Sequence, residues 1–361
     1  MRLIDSNHEF VVNGSPVEGF PILLSSAGDV HRPALNFLVY YCIQRGRVNS
    51  KKSWHRYGQD LYDFFSFIEA HSLEWRETNK HPSILATYRD WSLKHFSLSV
   101  NTINTRLTTL VNFYKYAYRQ NWVRSFPFEI EQVRIPRREH FLMHGDFHDH
   151  KATPDVKLKT AKKGIKVLTG NQQRILLQAC KNETLKSQTL LGLSTGLRLE
   201  EINTFPLKYV FNPSKDPSRN YFRVTLCPSD MNTKGSKERF IDVPRDVMLV
   251  LWGYVHSERV SRLGEEGNTA TLNKKGRATL FVNRFGKAFA PDSDTLRINY
   301  SRLGLDFHVN PHMLRHTFAT NTLKYLSDRR TSSFDPLIYV RDRLGHESIV
   351  VHFPINETVL N

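Results

Sequence analysis

The spacing of hydrophobic positions changes twice along the chain. Residues 1–31 hold only short apolar pieces, Phe10–Val12 and Phe20–Leu24, among turn-formers such as Asn13-Gly14, and read as an N-terminal arm or short strand. From 32 to about 122, apolar residues recur at intervals of three and four. That spacing predicts helices near Pro33–Arg45, Ser50–His71, Pro82–Phe96 and Ser99–Gln120. In the last, Val100, Ile103, Leu107, Leu110, Val111, Tyr114 and Ala117 form one apolar stripe. Its other face carries Asn101, Asn104, Thr105, Arg106, Thr108, Asn112 and Lys115, groups suited to phosphates and base edges, or simply to water. In the second helix Trp54, Tyr57, Leu61, Phe64, Phe65 and Ile68 read as core, with Lys51, Lys52, His55 and Arg56 on the surface.

Periodicity is lost over 123–166 and returns after Val167. Helices are expected from Thr169 to about Lys181 and over Lys186–Ser194. Tyr221–Cys227 alternates like a strand, Arg239–Val243 makes a second, and the turn-rich Pro228–Glu238 joins them as a hairpin. Further helices are expected at Arg245–Leu263, Ser293–Leu303, Pro311–Leu326 and Pro336–Leu344, and no internal repeat stands out. The fold class is mainly α with a small antiparallel β-sheet. Its divisions are an arm (1–31), a helical domain (32–125), a basic linker (126–166) and a second domain (167–361).

The chain has 361 residues, 40% of them hydrophobic and 12% aromatic, enough to give each domain a core. It carries 51 Lys and Arg against 35 Asp and Glu, a formal charge of +16 with a pI near 9.7. That excess favours an acidic partner, first of all nucleic acid; the plain alternative is a ribosome-associated or merely basic enzyme. Cys42, Cys180 and Cys227 are too scattered for a disulfide framework. Neither a signal peptide nor a membrane-spanning run is read, so a cytoplasmic protein is expected. The linker holds nine Lys and Arg but four Asp and Glu between Arg134 and Lys166, with His140, His144, His148 and His150. Without a helix or hairpin to hold them, these histidines do not read as a metal site.

Four short segments carry chemistry. After Thr195-Gly196-Leu197, Arg198 opens a helix, where amides favour an anion and a guanidinium can fork onto phosphate. Asn310 and Pro311 start another, whose first turn projects His312 and Arg315, three apart. Leu344-Gly345-His346 ends a helix at a glycine and presents a histidine. Thr233-Lys234-Gly235-Ser236-Lys237-Glu238-Arg239 sits at the hairpin tip, where a lysine can reach an outside ligand. Each is common alone.

In this order the four segments resemble the signature of the tyrosine recombinases, which include phage integrases, chromosome-dimer resolvases and integrative-transposon recombinases of the transposase A type. The resemblance covers roughly 167–349, and residues 32–122 are similar to the family's SAM-like core-binding domain. It implies a C-shaped clamp on double-stranded DNA, a tetramer on that DNA with or without a second recombinase, and a nucleoid-associated protein of a prokaryotic-type mobile element. It implies strand exchange through a 3′-phosphotyrosine, with no metal, ATP or other cofactor. By motif, Arg198 and Arg315 would clamp the scissile phosphate. Lys234, or else Lys237, would protonate the leaving 5′ hydroxyl, and His312 and His346 would stabilise the phosphate. Glu201 reads as a brace for its helix. The departure is the nucleophile: nine positions past His346 stands Ile355, and no tyrosine follows Tyr339, to which the role does not transfer. The competing expectation is a DNA-binding subunit of the same fold that needs a partner for strand transfer. A metal-dependent nuclease lacks its clustered carboxylates.

Overall fold

The computed structural model describes residues 1–46, 48, 50–134, 150–160, 164–233, 235, 237–263, 271–328 and 335–345. It divides into two compact units, Met1–Lys162 and Lys163–Asn361.

The first unit opens on two small hairpins rather than a single strand. Strand β1 (Arg2–Asp5) encloses β2 (Val11–Val12) and β3 (Ser15–Pro16) and pairs antiparallel with β4 (Pro21–Leu24), Arg2 facing Leu24. Helix α1 (Arg32–Leu38) runs on as a π-helical turn to Gln44 and is followed by α2 (Lys51–Ala70), α3 (Ile84–His95) and α4 (Val100–Arg119). Ser83 and Ser99 cap the last two by accepting from the Ala86 and Thr102 amides. The α4 stripe is buried from Ile103 to Ala117 and packs with Phe37, Phe64, Phe65 and Trp75 into one aromatic-rich core. Tyr114, buried whole, satisfies its hydroxyl by donating to the Trp75 carbonyl at 2.8 Å.

Two expectations change here. Part of the polar face of α4 is used inside the protein. Asn104 exchanges two hydrogen bonds with the Leu158 backbone, at 2.8 and 2.9 Å, and Asn112 donates to the Tyr41 hydroxyl. Arg106 pairs with Asp63. Asn101, Thr105, Thr108 and Lys115 remain exposed. The second change falls in 126–166, where β5 (Ile130–Arg134) pairs antiparallel with β6 (His150–Pro154). Exposed Ile130 and Val133 leave no buried face, so the strands lack the alternation that betrays a sheet. Of the linker histidines, His140, His144 and His148 lie outside the described residues.

In the second unit, α5 (Gly170–Ala179) starts at a reciprocal Thr169–Gln172 capping box. The chain continues through α6 (Glu183–Thr195), α7 (Leu199–Asn203), the antiparallel pair β7 (Tyr221–Leu226) and β8 (Arg239–Pro244), and α8 (Arg245–His256). Then follow α9 (Glu258–Leu263), α10 (Thr295–Ser301), α11 (Pro311–Asp328) and α12 (Pro336–Leu344). Helix α6 is the centre, buried at eight positions and packed against α8, α11 and β8. The single helix expected over 245–263 breaks at Ser257, whose hydroxyl donates to Glu183. No described helix is long and apolar enough to cross a membrane.

Candidate active site

Two left-handed glycines set the site's frame. Gly196 ends α6 at φ 65°, and a β-carbon there would lie 2.5 Å from the Phe318 ring. Gly345 ends α12 at φ 63°, and a β-carbon there would lie 2.9 Å from Arg239 Cδ. Both positions therefore need glycine for conformation and for space.

Arg315, in the second turn of α11, reaches both helix ends. Its Nη1 donates to the Gly196 carbonyl at 2.7 Å and its Nη2 to the Leu344 carbonyl at 2.6 Å. These carbonyls lie at the negative poles of α6 and α12, so the guanidinium meets partial charge as well as acceptors. It is only 3% exposed. Burial first, then the charge of Arg198, push its ionisation down to about 9, and Glu201 and Arg239 act in opposite directions. It remains a cation at neutral pH.

Arg198 stands just before α7, where its backbone N–H and Nη1 both donate to Glu201, at 2.8 and 3.1 Å. Glu201 is buried and accepts a third bond, 2.6 Å long, from Arg239 Nη2. Burial opposes its ionisation, but Arg239 and Arg198 outweigh that and hold the carboxyl below the usual range. Arg239 Nε in turn donates to the Arg343 carbonyl at 3.1 Å. One carboxylate thus stands among three guanidinium groups, those of Arg198, Arg239 and Arg315. Guanidinium groups gathered this closely make a place that favours a negatively charged group.

A second carboxylate, Asp242 on β8, fixes α12. It accepts a hydrogen bond from Arg343 Nε at 2.7 Å, pairs with Arg343 Nη2 at 2.6 Å, and accepts one bond each from Tyr339 and Arg223. Arg343 stacks over the Tyr339 and Phe240 rings. Tyr339 is held as a neutral phenol, since burial and the Asp242 charge both raise its ionisation.

Of the expected site residues, the structure brings Arg198 and Arg315 together. His312 is exposed on the first turn of α11, its ring centroid 4.3 Å from that of His316. Asn310 starts that turn as expected, accepting from the Met313 amide. Lys237 is exposed beside the hairpin tip. Lys234, His346 and Ile355 lie outside the described residues. The sequence reading missed Arg239 and Asp242. On an alternating strand a charged residue reads as facing water, so nothing in β8 marks either as a partner of another element. Among the described residues no three His, Cys, Asp or Glu side chains gather to hold a metal.

The geometry joins with comparisons to known proteins. The phage integrase family matches residues 166–350, and the phage integrase N-terminal SAM-like domain matches 36–121. The chain belongs to the phage integrase family. It is similar to tyrosine recombinase XerC of Anoxybacillus flavithermus, 22% identical over 86% of this chain and 88% of that protein. It is also similar to transposase A from transposon Tn554 of Staphylococcus aureus, 24% identical over 91% of this chain and 87% of that one. Among solved structures, the XerH site-specific recombinase bound to palindromic difH substrate shares the fold with a TM-score of 0.57, at 17% identity over 88% of this chain and 89% of that one. The Tn1549 transposon integrase bound to circular intermediate DNA gives 0.57, at 16% identity over 88% and 92%.

Proposed function

We propose that this chain is a site-specific DNA recombinase of the transposase-type integrase kind, acting on double-stranded DNA. The observation that carries the reading is the cluster of Arg198, Arg239 and Arg315 around the carboxylate of Glu201. A phosphodiester is a negatively charged group that these guanidinium groups suit, and its non-bridging oxygens fall to Arg198 and Arg315. Positively charged donors fixed before the reaction stabilise a pentacoordinate phosphate, each worth about 10²–10³ in rate. A phenol oxygen attacks phosphorus, the bond to the 5′ oxygen breaks, and Lys234 gives that oxygen its proton. His312 takes the phenol's proton, and His346 steadies the phosphate. The phosphotyrosine keeps the bond energy, so the reverse attack by a 5′ hydroxyl rejoins the strand without ATP.

Tyr339 is committed to Asp242, and isoleucine stands at position 355. We therefore assign the phosphate pocket to this chain and the attacking phenol to a residue other than Tyr339. The test uses a duplex that the protein selects from a random pool, nicked beside the cut so that the adduct is trapped. The unaltered chain yields none by itself. Replacing Ile355 with tyrosine yields one that survives denaturation and excess chelator. An adduct that needs a divalent metal overturns the reading.

A further inference from the structure

Residues 271–290 contain five Lys or Arg and no Asp or Glu. They also hold a short repeat that hydrophobic spacing does not reveal. Asn273-Lys274-Lys275-Gly276-Arg277 and Asn283-Arg284-Phe285-Gly286-Lys287 share the order Asn, basic, any, Gly, basic, ten positions apart. The two segments fold as the same turn. In the first, the Asn273 side-chain oxygen accepts from the Lys275 and Arg277 amides at 2.9 and 3.1 Å. In the second, Asn283 accepts from the Phe285 and Lys287 amides, also at 2.9 and 3.1 Å. Gly276 and Gly286 take φ of 69° and 71°. Between the turns Thr279, Leu280, Phe281 and Val282 are fully buried, and Arg259 holds the Thr279 and Leu280 carbonyls.

Each turn is fastened at its base. Asn273 Nδ2 donates to the Asp230 carbonyl at 2.7 Å, Arg277 pairs with the Asp230 carboxylate at 3.2 Å, and Lys275 donates to the Pro228 carbonyl. Lys208 reaches the same carboxylate at 2.7 Å. At the second turn, a β-carbon on Gly286 would lie 2.5 Å from the Arg262 carbonyl, so that tip sits hard against the end of α9. Lys274, Arg284 and Lys287 are exposed, and Arg284 lies over the Phe285 ring, itself 68% exposed. Around the first turn, Lys208 and Arg277 pair with Asp230, while Lys274 stands exposed.

We propose that these twin turns are a second DNA-backbone contact of the catalytic unit, seating phosphates away from the scissile one. Tips whose backbone is already ordered lose little backbone freedom on binding, and the ammonium groups of Lys274 and Lys287 carry no base-reading fork, which fits positioning rather than sequence choice. Duplex DNA is the partner because the first turn is built onto Pro228–Asp230, the start of the connection that carries Lys234. The inference rests on the recombinase reading above.

The test measures affinity of the full chain for a mixed-sequence duplex across salt concentrations. Lys274→Gln with Lys287→Gln alters two tips whose backbone turns are held by asparagine. The logarithmic salt slope becomes shallower by about 0.9 for each phosphate no longer neutralised, hence by about 1.8 for the pair. Lys274→Arg with Lys287→Arg keeps the original slope. An unchanged slope in the glutamine pair overturns the proposal while leaving the scissile-phosphate site intact. So does an equally shallow slope in the arginine pair. If the unaltered chain binds no duplex, the recombinase reading itself falls, and this inference with it.

Discussion

Arg315 Nη2 and the Leu344 carbonyl oxygen lie 2.6 Å apart, joining helix α11 to the end of α12. The same guanidinium holds Gly196, two residues before Arg198. Arg315 therefore fixes the turn on which the second arginine stands and the turn that leads into His346. A group that locks its neighbours in this way has both a packing role and a charge role, and substitutions must separate the two.

Arg239 tests the packing role of the surrounding brace. Its replacement by alanine takes from buried Glu201 the guanidinium at 2.6 Å, leaves it the Arg198 pair at 3.1 Å, and frees the Arg343 carbonyl. Breaking a buried pair from one side costs about 3–5 kcal/mol, so the urea midpoint of the second unit should fall sharply. Arg239→Lys keeps the charge but lacks the fork needed for two acceptors, and should recover only part of the stability. A midpoint unchanged in Arg239→Ala contradicts the brace.

Tyr339 is the natural suspect for the nucleophile, and its hydrogen bond argues against it. The phenol donates to Asp242 at 3.0 Å, and burial followed by the carboxylate raises its ionisation. Tyr339→Phe should lower stability by about 1.5–3 kcal/mol, the range for a bond to a charged group, and leave adduct formation unchanged in chains carrying Ile355→Tyr. Disappearance of the adduct would mean that α12 rearranges on DNA.

His31 gives the first unit a pH dependence. Its Nδ1 accepts the Ala34 amide at 3.3 Å at the start of α1, and its ring lies 4.1 Å from that of Phe65. Burial, then Arg76, push its ionisation from 6.5 down to about 4. The unfolded chain therefore takes up the proton first as the pH falls. Stability contributed by the neutral ring is whole above about 6.5 and is lost between there and about 4, at about 1.4 kcal/mol per pH unit. Denaturant midpoints at pH 7, 6 and 5 should show this slope, and His31→Asn should flatten it. A midpoint that rises on acidification contradicts the assignment.

Much of the fold is legible in the sequence. The α4 stripe, the Ser99 and Asn310 starts and the glycine ends of α6 and α12 follow from local chemistry, and all appear where the spacing puts them. What escapes depends on partners distant in sequence. Asn104 reads as facing DNA or water, but its partner is the backbone of Leu158, fifty-four residues on. Arg239 reads as another hairpin cation, but Glu201 and Arg343 claim it from two other elements. The β5–β6 pair has no buried face to announce it, and the twin turns repeat over too few residues to register as a period.

The central claim is that Arg198 and Arg315 hold the phosphate on which strand transfer occurs. It is tested by quantifying and peptide-mapping the trapped adduct of the Ile355→Tyr chain, with and without Arg315→Ala, on the nicked selected duplex. The account predicts linkage at position 355 and a drop of at least about a hundredfold with Arg315→Ala, while duplex affinity stays within about tenfold. Equal falls in adduct and affinity, or an adduct of the unaltered chain mapping to Tyr339, would contradict it.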